Sequence, residues 1–241
     1  VLQERPKESV AVLDNQRSRR KVQRIMTAEV GFFRAGIATD SLCVVIANVV
    51  GSALLIAEDL QMAQGWSVNP DGGRAAANEA ISMMQKGVEK PRFVVLYTTS
   101  GYGEQEIANT LRTRFPEAKL FGMNSYKGVF SADGLHIGEH GALAIMGFSG
   151  GDLIFGVGIR SVPEDGDAAA ATEEVCAEAA EDAGKTLNDR PSVVLLGALK
   201  GQEDVIVRGI SDIFPQDVHL VGGTHCDNRF GQGAVIGNNT I

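Results

Sequence analysis

An α/β fold made by internal duplication is what this sequence predicts: β-α-β-α-β-β units forming mixed sheets flanked by helices, with an N-terminal extension. Three observations predict it. First, landmarks recur about 100 residues apart: Pro91 and Pro191, Gly101 and Gly201, Leu120 and Leu220, Gly122 and Gly222, Phe130 and Phe230. Phe115-Pro116 is answered one residue out of step by Phe214-Pro215. Second, each copy opens with a short apolar run, 93–96 or 193–196, of the kind buried on both faces of a sheet. Third, a helical pattern follows each run, and two copies are too few for a solenoid but suit one duplicated domain.

The chain divides into an extension over 1–60 and an α/β domain over 61–241, the latter in repeats at 61–150 and 151–241. Residues 1–27 form a basic arm with seven Lys or Arg against three acids. That is +4 of a net −8, which leaves −12 for the rest. The arm reads either as a solvated segment or as a surface for a membrane or partner. Residues 41–57, SLCVVIANVVGSALLIA, carry no charge and are bracketed by Asp40 and Glu58. Three structures give such a run: a short membrane span, a buried helix, or two core strands broken at Gly51.

Each repeat then reads strand, helix, strand, helix, strand, polar loop, strand. The first strands end near Ser67 and Ser161. The first helices place Ala77, Ala80, Ile81, Met84 and Val88 on one face, and Ala168, Ala171, Val175, Ala179 and Ala183 on its counterpart. Glu173, Glu174, Glu178, Glu181 and Asp182 form a wet face on the second of these. Asp71 and Asp165 stand near the helix starts, where a carboxylate suits the helix dipole. The second helices bury Ile107, Leu111 and Phe115, or Val205, Ile206, Ile210 and Ile213. Phe-Pro stops both, because the residue before proline leaves the α region. An alternating strand at 141–148, followed by Ser-Gly-Gly-Asp at 149–152, predicts a hairpin joining the units.

The acidic domain argues against nucleic acid as a partner. Cys43, Cys176 and Cys226 show neither a disulfide framework nor metal-ligand spacing, so an intracellular, reducing compartment is expected. An organellar or bacterial membrane association through 41–57 is the alternative. Gly101-Tyr102-Gly103 follows a strand and opens a helix, yet neither phosphate-loop pattern is present, and turn chemistry explains it better. Asn238-Asn239-Thr240 matches a glycosylation sequon. His225-Cys226 invites a nucleophile reading, but nothing places a second base beside the thiol. No catalytic set, metal-ligand set or cofactor motif emerges.

Ligands of open α/β sheets bind beyond the carboxyl ends of strands. Two polar loops lie there: Gly122 through Asn124, Ser125, Tyr126 and Lys127, and Gly222 and Gly223 through Thr224, His225, Cys226, Asp227 and Asn228. From Gln61 onward the chain resembles the FIST domain in its N-terminal part. The resemblance rests on Gly65-Trp66-Ser67 followed by Asp71 and the alanine-rich helix, on FVVLYTTSGYG, on FPEAKLFGMNS ahead of the Gly134 turn, and on HLVGGTHCDN. Met123 departs from the smaller residue commoner there. The resemblance implies a sensory module without catalysis that binds a small molecule such as an amino acid. It carries over to Asn124, Ser125, Thr224 and Asp227 as ligand-facing groups. Two further readings compete: an accessory subunit held in a larger, membrane-bound complex by residues 1–60, and, last, an enzyme using Cys226. Under the first two, deleting residues 1–60 is expected to leave a soluble monomer.

Overall fold

The computed structural model describes residues 60–150, 153–161, 166–198, 201–214, 218–225 and 235–238, together with the backbone of 41–49. The basic arm 1–27, residues 50–57 of the apolar run, and Asp165 lie outside the described residues.

The strands are β1 (Ser41–Val49), β2 (Gln61–Ser67), β3 (Phe93–Thr99), β4 (Lys119–Ser125), β5 (Val129–Ser131), β6 (Gly134–His136), β7 (Leu143–Ser149), β8 (Leu153–Ser161), β9 (Val193–Ala198), β10 (His219–Thr224) and β11 (Val235–Ile236). The helices are α1 (Gly73–Met84), α2 (Glu104–Arg114), α3 (Ala168–Asp182) and α4 (Glu203–Ile213). One sheet runs β11-β4-β3-β7-β2 and the other β10-β9-β1-β8, while β5 and β6 form a separate ribbon.

Four strands of the first sheet, β4-β3-β7-β2, have counterparts in the second, β10-β9-β1-β8. β3 runs parallel to β4 with Leu96 opposite Gly122, and β9 runs parallel to β10 with Leu196 opposite Gly222. The recurring glycine has a packing reason: a Cβ at Gly122 would lie 2.4 Å from the Leu96 side chain, and one at Gly222 would lie 2.0 Å from the Leu196 carbonyl oxygen. β7 lies antiparallel between β3 and β2. In the second sheet that place is taken by β1, antiparallel to both β8 and β9.

Nine residues of the apolar run at 41–57 are therefore a central strand of the second unit. Its backbone pairs with a strand on either side, and uncharged runs are what central strands of α/β sheets carry. Among the described residues no helix is long and apolar enough to cross a membrane.

Alternation along the strands builds the three larger cores among the described residues. On β3 and β4, Val94, Leu96 and Leu120 face α1 and α2, packing with Ala80, Ile81, Met84, Ile107 and Leu111. On β9, Val194, Leu196 and Ala198 face α3 and α4, packing with Val175, Ala179, Ile206 and Ile210. The opposite faces meet each other: Phe93, Phe121, Met123, Val157 and Val235 form a core between the sheets, with Phe155 and Leu195 against it. Phe93 stacks on Phe155 with centroids 4.6 Å apart. The layers are helix, sheet, sheet, helix.

Three sequence readings need correction. β7 and β8 do not form a hairpin. Both edges of β7 are already taken by β2 and β3, so the turn after Ser149 carries the chain across into the other sheet. Asp182 does not belong to a wet face. Its carboxylate accepts from the Val157 amide and the Asn238 side-chain amide, both at 2.9 Å, and ion-pairs with Lys119. Asn238 also accepts from the Leu120 amide at 3.0 Å, so this sequon asparagine is a structural tie between the units. Val205 is not a core residue but 43% exposed. The carboxylate that caps α3 is Asp167, which accepts from the amides of Ala169 and Ala170.

The β5–β6 ribbon is pinned to β2 by aromatic stacking. Trp66 lies on His136 with centroids 3.7 Å apart, its indole N–H donates to Asp133 at 2.9 Å, and a His136 ring nitrogen sits 2.7 Å from the Ser131 hydroxyl. Burial lowers the His136 pKa from its ordinary 6.5, with Asp133 pulling the other way. The unfolded chain then binds more protons than the folded one just below pH 6.5. The contribution of the stack is complete above that pH and is lost as pH falls through the depressed folded value. Trp66 is the one tryptophan in the sequence. Its emission is expected to change in an acid titration with a midpoint below 6.5, and His136→Phe should abolish that transition.

Candidate functional site

Both units end their parallel strands at the same end of the molecule. Phe93 and Phe155 meet near the amino ends of β3 and β8. Near the carboxyl ends, the Met123 sulfur lies 3.0 Å from where a Gly197 Cβ would stand. Met123 is thus spent on the core between the sheets, which explains a larger residue there than the resemblance leads one to expect.

The next residue, Asn124, points the other way, towards α2. Its side-chain amide donates to Glu104 in the first turn of that helix at 2.5 Å. The second unit repeats the arrangement. Thr224, equivalent to Asn124, donates its hydroxyl proton to Glu203 in the first turn of α4 at 2.7 Å. The other oxygen of Glu203 accepts from the Gly201 amide at 2.7 Å. Neither helix has a side-chain cap at its start: Gly103 precedes α2 and Gln202 precedes α4. Each corner therefore combines a carboxylate, a hydrogen-bonding side chain from the strand end, and helix amides without a side-chain acceptor.

The sequence model of the FIST N domain matches residues 92–241, more than half of the chain. The chain belongs to the FIST N domain family. FIST domains form a family of sensory domains. Compared with curated proteins, this chain finds no match.

Within this FIST domain, the loop residues singled out from sequence do not all converge. Asn124 and Thr224 occupy equivalent corners. Ser125 donates its hydroxyl to the Gly128 carbonyl at 2.6 Å, closing the following turn. Tyr126 is 52% exposed with the Lys127 ammonium over its ring, so it faces solvent. His225 is buried. Gly222 packs on Leu196, whereas Gly223 has open space where a Cβ would be. Asp227 and Cys226 lie outside the described residues.

Sequence reasoning missed Glu104 and Glu203. An acid in the first turn of a helix reads as a complement to the dipole, and only the matched distances at 20 or so residues' separation reveal the second role. Tyr97 was also missed. It sits late on β3 against the core between the sheets, and burial pushes its phenol up to about 12, so its hydroxyl stays neutral. Of the described cysteines, Cys176 is buried, with its thiol likewise pushed up to about 12, far from a nucleophile's range. The described residues contain no group of three or more His, Cys, Asp or Glu fit for a metal ion.

Proposed function

We propose that this FIST domain is a non-catalytic sensor that binds a small zwitterion of the amino-acid class at the carboxyl ends of its strands. The observation that supports it best is the repeated corner, Glu104 with Asn124 and Glu203 with Thr224. A carboxylate suits the ligand's ammonium group, and amides at a helix start suit its carboxylate. Among the described residues neither corner sets a nucleophile beside a base, so binding without turnover is the reading it supports.

Isothermal titration of the full chain with individual L-amino acids tests the reading. At least one is expected to bind saturably and to be recovered unchanged. Asn124→Ala or Thr224→Ala should weaken that binding roughly tenfold, the value of one hydrogen bond to a charged group. Equal affinity in both variants, or conversion of the ligand, counts against it. The accessory-subunit reading is favoured by one observation, that the second sheet has no strand beyond β10 among the described residues. It predicts stoichiometric co-purification with another protein.

A further inference from the structure

The two sheets differ in one respect. In the first, β4 is not the last strand, because β11 pairs antiparallel with it, Val235 opposite Met123 and Ile236 opposite Gly122. Arg112 of α2 then donates to the carbonyls of Gly237 and Asn238 at 2.9 and 2.5 Å. The edge is closed: Leu120, Phe121, Met123 and Asn124 on the strand and Ala108 on the helix are all buried. The second sheet repeats the other four strands in the same order and, among the described residues, has no fifth. Its equivalent positions are open. Leu220, Val221, Gly223 and Thr224 are half-buried, and Val207, which answers to Ala108, is 40% exposed.

We propose that the outer edge of β10 accepts an extended segment of a partner protein as a fifth strand, antiparallel to β10, carrying two adjacent apolar residues preceded by a lysine or arginine. The apolar pair follows from the filled edge, where Val235 enters the core between the sheets and Ile236 the core under the helices. The cation follows from charge. The helix stripe beside the filled edge is Gln105, Ala108 and Arg112, and its counterpart is Asp204, Val207 and Ser211. Where the first unit has the Arg112 guanidinium the second has the Ser211 hydroxyl, which donates to the Val207 carbonyl, and where the first has the neutral Gln105 the second has the Asp204 carboxylate. The hydrogen bond from Thr224 to Glu203 fixes the start of α4 at the carboxyl end of β10. An antiparallel strand begins at that end, so its residue beside Asp204 comes before the apolar pair. An unpaired sheet edge is a ready template for such addition. The proposal uses the outward edge of β10 and stands apart from the ligand reading.

The test uses the full chain and the labelled peptide Lys-Ala-Val-Ile-Gly-Asn, which keeps the chemistry of residues 235–238 behind a lysine. Saturable binding by fluorescence anisotropy is expected, with slowed amide exchange confined to 220–224. Replacing the peptide's lysine by glutamate, or making Asp204→Lys, should weaken binding about fivefold. Val207→Arg, at an exposed position, should abolish it without shifting the melting temperature. The proposal is overturned by no binding, by protection at β2 or β8 instead, or by prior protection, in the chain alone, of those amides within 220–224 that do not donate to β9. Light scattering that shows a dimer with those same outward amides protected would also overturn it, since a second copy would then hold the edge.

Discussion

Removing residues 41–49 is expected to leave a chain that does not fold, in contrast to the soluble monomer that the sequence alone leads one to expect. β1 lies between β8 and β9, paired with β8 over Ser41–Val49 and with β9 from Cys43 to Ala47. Without it, β8 loses its one strand partner among the described residues, and the pair β9–β10 is cut off from the rest. At about 1 kcal/mol net per hydrogen bond, the lost ladder is comparable to the roughly 5–15 kcal/mol that holds a domain folded. The helix α3 packs on β8 across Gly156 and Gly158 and would lose its platform. Near-ultraviolet circular dichroism and size exclusion of the truncated chain check this. A truncated chain with native dispersion and a native elution volume would contradict the assignment of β1. Val45→Pro is a milder version, removing ladder bonds at the centre of the strand, and should unfold the second unit as well.

Gly65→Ala is the second large effect. A Cβ there would stand 1.9 Å from the Ala80 carbonyl oxygen and 3.0 Å from the Met84 amide nitrogen. Both are backbone atoms of α1, so no rotamer change relieves the clash and the helix must lift from β2. The face that lifts carries Ala77, Ala80, Ile81 and Met84, each buried in the core beneath. A loss of about 3 kcal/mol is expected, or roughly 6–12 °C in melting temperature for a chain of this size. Gly223→Ala is the control, because its Cβ would enter open space. That variant should stay within about 0.5 kcal/mol of the parent. Urea unfolding of the two variants in parallel checks both values.

Much of this was legible because it is local. The period near 100 residues placed β3 against β9 and β4 against β10, and the registers agree. Helical spacing picked out the buried faces of α1 and α2, since a 3.6-residue period needs no knowledge of the partner surface. What was not legible depends on partners distant in the chain. An uncharged run at 41–49 fits helix, span or strand alike, and its ladder partners lie 100 residues and more away. Ser-Gly-Gly-Asp announces a turn but not which sheet receives the next strand. Asp182 reads as wet because nothing local shows that Lys119 and Asn238 reach it. Glu104 and Glu203 read as dipole partners until the strand ends stand beside them. Composition marked Asn124 and Thr224 as polar groups at strand ends, and folding gave each a carboxylate.

The ligand reading is tested most directly by amide chemical-shift mapping. The isotope-labelled full chain is titrated with pools of L-amino acids and then with the one that binds. Saturable shifts should centre on Thr98, Asn124, Ser125, Thr224 and His225 with the amides of Glu104 and Glu203, and should shrink in Glu104→Gln and Glu203→Gln. Shifts confined to the exposed ribbon at Phe130 and Leu135, or none with any pool, would contradict a binding site at the strand ends.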